Sequence, residues 1–372
     1  MDIFVYILKI TFHFIFALVM IRLSKRDCRA NLRACDGMDG FVHKLSAKTI
    51  LLFCIFEAIY TLICAPFGVY LADRRIYALH FTIYDNDAST LGLAVVSDIL
   101  WLFSNKPEYL FVAIAVLYIL VTCIAYNKYE DANPTIFLLI GLSLYTTYGL
   151  YQFKQCMAAA FTALSFAYFF RNKKIPCICS LTVAILFHET ALLMIPLMIL
   201  LKIVKSKVGY FVASIILLSC LVFFEPANRL VIGVFAGFIP SFSARFGDYL
   251  SSSGSLLIEP NYVTALKGIP YYFIVLIGLI KRPYYHDRIK NYDKLLFISV
   301  FVSVTTMASI YMYWLWRIGE LAYMVVFYFW SQLCVCFCKK EYKQLNVLLG
   351  GTFFLLTLYQ LIICYINYGG II

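Results

Sequence analysis

The apolar positions of this chain come in long unbroken runs, with no alternation between polar and apolar neighbours. A transmembrane strand would alternate with a period of two, whereas a helix crossing a bilayer needs about 20 consecutive apolar residues, so the runs predict spanning helices. They lie near 3–21, 48–66, 108–126, 134–150, 155–170, 208–224, 262–280, 294–313, 318–337 and 345–366. A further apolar stretch, 175–201, holds His188 at its middle. As two helices meeting at the histidine, its arms would each be about 12 residues, or about 18 Å at 1.5 Å per residue, short of a hydrocarbon core of about 30 Å. Such a hairpin is expected to be tilted and internally buried, or re-entrant, because broken helices at membrane depth are tolerated where protein encloses them. The rival reading makes 175–201 one span and adds another near 228–241.

Lysine and arginine orient these elements, since cytoplasmic loops carry an excess of them. Most of the 31 basic residues fall in the stretches 22–48, 171–174, 202–207, 281–294 and 338–344, with Lys128 in a sixth loop. All six loops share one side if 175–201 is a hairpin. The expected fold class is therefore all-α, a polytopic membrane protein of about 12 membrane helices including the short His-containing hairpin. Both termini would be outside, and residues 1–372 would form a single integral membrane domain. The longest outer loops are 67–107 and 225–261, and amphipathic helices are expected there; 88–104 is too short to span comfortably and reads as interfacial. The first run lacks a positive leader and a small-residue cleavage site, so it is expected to be a retained span.

Composition narrows the classes. The chain is 63% hydrophobic and 14% charged with a mean hydropathy of +0.85, against about 45–50% apolar and about 25% charged in soluble domains. No single water-soluble core of this length hides so much apolar surface. The formal net charge of +11 is explained by the cytoplasmic loops and suits anionic headgroups, so it is no sign of nucleic acid. Most of the 13 cysteines sit inside apolar runs without His or acidic partners at ligand spacing, so no metal site and no disulfide framework is expected.

Ionisable groups at membrane depth mark cavities or sites. Lys154 and Gln155 open a span whose next residues, CysMetAlaAlaAla, permit close packing; a cation at a helix amino terminus suits a phosphate, while the plain alternative is a lysine reaching headgroups. His188 lies at the tip of the expected hairpin, with Glu189 beside it and Thr190 as the expected cap of the next helix; a neutral imidazole there suits a general base, against the plain alternative of a satisfied core histidine. Arg317 precedes Glu320 by one helical turn, where an internal ion pair is the plain reading. Arg245 and Tyr249 stand at i, i+4 spacing in an outer loop, and Asp73, Arg74 and Tyr77 lie just beyond the second span. Glu57, within that span, must face protein or water. No P-loop, GxSxG, HExxH or dinucleotide fingerprint occurs, so nucleotide-driven chemistry is not expected.

These stretches resemble the EpsG family of membrane polysaccharide polymerases, relatives of the Wzy-type O-antigen and capsule polymerases. AspArgArgIleTyrAlaLeuHisPhe is similar to the family's Asp-x3-Tyr-x3-Phe pattern, and PheLysGlnCysMetAlaAlaAlaPhe to its Arg-Gln before a small-residue helix. AlaIleLeuPheHisGluThrAlaLeuLeu resembles the Phe-His-x-Ser/Thr-Ala-Leu motif, the most specific of the set; AlaArgPheGlyAspTyr and TrpArgIleGlyGluLeuAlaTyr match arginine-containing elements. Lys154 stands where the family has Arg, which keeps the charge but loses the bidentate fork.

The resemblance implies transfer of a growing glycan from undecaprenyl diphosphate onto the next lipid-linked repeat unit, at the outer face of a bacterial inner membrane. No cofactor and no metal are implied. Lys154 and Arg317, with Arg245, would neutralise the diphosphate, and His188 would accept the proton of the attacking hydroxyl. Asp73, Arg74, Tyr77, Gln155, Tyr249 and Glu320 would bind and orient substrate. The partners would be the undecaprenyl-diphosphate-linked oligosaccharide, membrane lipid, a chain-length regulator and a flippase. Two other functions are the rivals: a membrane O-acyltransferase, which usually takes its acyl donor from the cytoplasm and so runs against a topology that places His188 outside, and a non-enzymatic glycolipid flippase, whose customary paired repeats are missing here.

Overall fold

The computed structural model describes residues 44–64, 73–84, 90–129, 152–203, 268–309 and 315–336, together with residues 15, 19, 22 and 23. Among the described residues every regular element is helical and there is no strand. The expected spans 134–150, 208–224 and 345–366 and all but residues 15 and 19 of 3–21 lie outside the described residues, as do the alternative span near 228–241 and the whole of the 225–261 loop. The chain divides into two compact units: residues 1–191 with 327–372, and residues 192–326.

The first unit is built on four helices: α1 (Ala47–Cys64), α4 (Pro107–Lys128), α5 (Phe153–Phe170) and α6 (Lys174–Phe187). α1 packs on α4, α4 on α5 and α5 on α6. Two shorter helices, α2 (Asp73–Ile83) and α3 (Leu91–Trp101), lie in the expected outer loop, α2 against α4 and α3 against α4 and α6. Among the described residues α4 alone is long and apolar enough to cross a membrane by length and composition, while α3 and α6 are shorter apolar helices.

Helix α1 is polar on its packed side and apolar on its open side. Thr49, Phe53, Cys54, Glu57 and Thr61 are buried, at the three- and four-residue spacing of one helix face, whereas Leu51, Leu52, Ile55, Ile59 and Leu62 are exposed. A helix in water shows the reverse arrangement. Helix α5 closes its neighbours differently: Cys156, Met157, Ala158, Ala159 and Ala160 are all buried, and their small side chains let backbones approach.

One end of this unit is cationic. Ser46 caps α1 by accepting the Thr49 N–H at 3.2 Å. The preceding Leu45 is tied to the end of α4: its N–H donates to Asn127 Oδ1 at 2.8 Å, and Asn127 Nδ2 donates to the Leu45 carbonyl at 3.0 Å. Arg171, in the turn between α5 and α6, donates to the Lys128 carbonyl at 3.4 Å. Lys44, Lys48, Lys128, Arg171, Lys173 and Lys174 thus gather from three separate loops. Tyr129 closes the layer above them: its hydroxyl donates to the Ala163 carbonyl at 2.7 Å and its ring stacks on Tyr328 at 4.0 Å.

The second unit contains α7 (Met194–Ile203), α8 (Ile269–Ile280), the single turn α9 (Arg282–Tyr285), α10 (Tyr292–Ala308) and the first part of α11 (Leu315–Cys336), whose residues from Phe327 onward belong to the first unit. α8 packs against α10, and the Tyr292 hydroxyl donates to the Gly278 carbonyl between them. The basic turn joining these helices is internally locked, with Arg282 on Asp293 at 3.1 Å and His286 between Asp287 at 2.6 Å and Asp293 at 3.1 Å.

Glu57 is 1% exposed and its Oε1 has no hydrogen-bond partner. Removing a buried polar atom that bonds nothing relieves a desolvation cost of about 1–3 kcal/mol. Glu57→Leu is therefore expected to raise the thermal unfolding midpoint of the detergent-solubilised protein; a lowered midpoint would contradict this account of the α1–α4 seam.

Candidate functional site

The apolar stretch 175–201 is not one continuous helix. α6 ends at Phe187, and His188 turns out of helical geometry with φ −154° and ψ 116°, its N–H making the last bond to the Ala184 carbonyl at 2.9 Å. A single 3-10 turn, Glu189–Leu193, follows before α7 begins, with Pro196 in its first turn. The Ala191 N–H returns to the His188 carbonyl at 2.9 Å and closes the corner.

Thr190 does not cap the next helix as expected. Its Oγ1 lies 2.7 Å from His188 Nδ1 and its backbone N–H donates to the same nitrogen at 3.3 Å. Both contacts point the ring in one direction and leave Nδ1 occupied by its own turn.

The neighbours of the corner fix its position. Phe187 stacks on Phe161 of α5 at 5.9 Å with 12° between the planes. Gly92, at the start of α3, sits so near that a Cβ there would lie 3.0 Å from the Leu186 carbonyl carbon and 3.0 Å from Phe187 Cγ. α3 therefore presses its backbone on the last turn of α6. Its other end is joined to α2, where the Asp98 carboxylate, by its charge and a hydrogen bond, holds the Tyr84 phenol above its ordinary range. Tyr84 and Trp101 rings stand 4.7 Å apart.

Lys154 stands at the same end of the unit. Ser165 of α5 donates to the Cys177 carbonyl of α6 at 2.8 Å, and Phe161 meets Phe187, so the two helices run antiparallel. At 1.5 Å per residue the end of α6 is level with about the first two turns of α5, where Lys154 projects. The Lys154 ammonium lies 5.2 Å from the centre of the Tyr77 ring on α2, within the range of a cation–π attraction. Tyr77 stacks on Phe153 at 5.6 Å, and Phe153 meets Phe111 of α4 at 5.2 Å. Three aromatic rings from three helices thus form a floor beneath the cation, with Gln155 buried beside it.

Of the residues singled out by sequence, Lys154 and Tyr77 meet, with Gln155 next to Lys154 on α5, and His188 closes α6 at the same end of the first unit, opposite its lysine- and arginine-rich end. Asp73 and Arg74 lie in the first turn of α2, one turn before Tyr77. Arg317 and Glu320 lie one turn apart on α11 in the second unit, Glu320 buried and Arg317 half-buried. Gly319 between them would place a Cβ 2.6 Å from Thr305 Oγ1, so α11 is pressed against α10 there. Arg245 and Tyr249 lie outside the described residues. Among the described residues no three His, Cys, Asp or Glu side chains are grouped to hold a metal ion. Gly92 and the Phe111–Phe153 pair escaped the reading of the sequence, and Thr190 was read only as a cap; a glycine in an otherwise apolar helix was the available signal for close backbone approach.

Gly92→Ala tests the α3–α6 contact. In a free helix this change stabilises by up to about 1 kcal/mol, but here the new methyl meets backbone that cannot swing aside. The variant is expected to unfold at a lower temperature than the wild type, and Gly92→Ser lower still; a raised midpoint for Gly92→Ala would show that the contact is looser than the geometry requires.

Comparison with curated proteins and with solved structures returns no match. The profile of the EpsG family matches residues 49–370, nearly the whole chain, and takes in every one of the candidate residues above. That family is one of membrane proteins and supports a polymerase-type role in polysaccharide biosynthesis. The outward apolar face of α1, the inward polar one and a match over nearly the whole chain agree, and the chain belongs to the EpsG family.

Proposed function

We propose that this protein polymerises undecaprenyl-diphosphate-linked oligosaccharide repeat units into a surface or capsular polysaccharide, by glycosyl transfer at the outer face of a bacterial inner membrane. In this reading the chain is a single multi-pass membrane domain of about 12 helices, with loops 67–107 and 225–261 outside. The observation that carries the reading is the seating of Lys154 on Tyr77 beside Gln155, with the His188 corner at the same end of the first unit, opposite the cationic loops. The positive-inside rule assigns those loops to the cytoplasm, and hence the site to the far side.

The chemistry follows from the side chains. The anomeric carbon of the donor glycan loses its bond to a diphosphate oxygen as the acceptor hydroxyl attacks. Negative charge grows on the leaving diphosphate, and the Lys154 ammonium stabilises it; Arg317 and Arg245 are assigned the same role. Fixed donors at developing charge are worth about 10²- to 10³-fold in rate each. The aromatic floor serves Lys154 by holding its ammonium at a set height and by excluding water, which strengthens its attraction for phosphate. Tyr77, Gln155, Tyr249, Asp73, Arg74 and Glu320 are assigned to sugar and headgroup binding. The undecaprenyl chains occupy lipid-facing grooves between helices. A chain-length regulator and a flippase are the partners such a reaction calls for.

Purified protein supplied with its lipid-linked repeat is expected to produce a ladder of lengths on a gel. His188→Ala and Arg317→Ala are each expected to collapse that ladder toward single repeats. Ladders close to wild type from both variants would refute the assignment. Lys154→Arg is expected to retain the ladder and Lys154→Met to lower the rate by about 10²-fold, measured as repeat units added per unit time.

A further inference from the structure

The Thr190 contacts decide which nitrogen of His188 carries the proton. A backbone N–H only donates, and the Thr190 N–H is directed at Nδ1 from 3.3 Å. Nδ1 must therefore offer a lone pair. The Thr190 hydroxyl, 2.7 Å from the same atom, rotates to donate as well. A neutral imidazole has one N–H and one lone pair, so with Nδ1 accepting, the proton sits on Nε2. A general base working through Nε2 would need the opposite tautomer, with an N–H at Nδ1 facing another N–H. The corner is built so that this arrangement is disfavoured: His188 begins the turn that the Ala191 N–H closes, and Gly92 and Phe161 hold the preceding residues in place.

We propose that Thr190 is a positioning residue that fixes His188 as an Nε2–H donor, so that the imidazole stabilises the departing diphosphate and does not take the proton of the attacking hydroxyl. This rests on the polymerase reading above and changes the role that sequence resemblance implies for the histidine. The step balances without a histidine base. The acceptor oxygen forms its bond to the anomeric carbon, and the bond from that carbon to the diphosphate oxygen breaks with its electron pair. The diphosphate, carrying the new negative charge, receives the proton released by the hydroxyl. Nε2–H holds the diphosphate oxygen by a hydrogen bond throughout and ends the step unchanged.

The two roles separate in substitutions. The glutamine side-chain N–H₂ reaches about where Nε2 lies, and asparagine reaches only to Nδ1. His188→Gln is expected to keep kcat/KM within about 10-fold of wild type, while His188→Asn and His188→Ala lose about 10²- to 10³-fold. Thr190→Val is expected to lower kcat and Thr190→Ser to restore it. The wild-type kcat/KM is expected to show no acidic limb belonging to the imidazole, since both its neutral and charged forms donate from Nε2. Nitrogen-15 spectra of histidine-labelled protein, with the His188 signals identified by subtraction of the His188→Asn spectrum, supply a readout independent of turnover. Nδ1 is expected as an unprotonated nitrogen in wild type and as a mixture in Thr190→Val. A protonated Nδ1 in the neutral ring, or a glutamine variant as inactive as alanine together with an acidic limb, would overturn the donor role and restore the base. Full activity in every His188 variant would instead remove the histidine from the site, whereas failure of the wild-type protein to elongate the lipid-linked repeat would remove the polymerase reading itself.

Discussion

A backbone packed among apolar side chains has little water to bond with, so every departure from a helix must bring its own partners. The corner at His188 obeys that constraint. α6 releases its last carbonyls there, and the groups that follow find bonds within a few residues: His188 N–H to Ala184, Ala191 N–H to His188, Thr190 N–H to the imidazole itself. The side chain that interrupts the helix is also the acceptor that makes the interruption tolerable. Because an unbonded buried amide costs on the order of 1–3 kcal/mol, the ring orientation is part of the stability of the fold and cannot be chosen freely for chemistry. The tautomer follows from the turn.

The same constraint organises the surroundings. α3 is brought to the corner by a glycine that removes the one atom in the way, and α5 by a run of small residues that lets α4 and α6 close on it. The aromatic floor of Tyr77, Phe153 and Phe111 draws together three helices that start at that end of the unit. A lysine above it rests on ring faces where other side chains would offer only hydrocarbon. At the opposite end, Asn127 and Arg171 tie three basic loops through backbone carbonyls and leave the lysines themselves outward.

Much of this was legible in the residues. The apolar runs at 48–66, 108–126 and 155–170 gave α1, α4 and α5 to within two residues at each end, since a long stretch without charges has few other uses. The break at His188 was legible because only a hairpin over 175–201 keeps all six basic loops on one side. The family was legible through the Phe-His-x-Thr motif and its companions. The partnership of Tyr77 with Lys154 was not, because it joins positions on separate helices through Phe153, and no local spacing encodes it. Thr190 was misread for a related reason: a threonine after a polar pair suits a helix cap or a donor to the neighbouring imidazole equally, and only the extended backbone of His188 decides between them. α2 and α3 both fall in the 67–107 stretch, where the sequence led to an expectation of amphipathic helices.

The two faces of α1 have different relations to their surroundings. Leu51, Ile55, Ile59 and Leu62 look outward, and in the proposed membrane setting they meet acyl chains, a liquid with no fixed shape for a side chain to fit. Leucine, isoleucine, valine or phenylalanine are interchangeable there at little cost. Thr49, Cys54, Glu57 and Thr61 meet another protein surface whose contours are fixed. Along this helix, then, the greasy positions are the permissive ones and the polar positions carry the information, the inverse of what the same residues would signify in a water-soluble protein.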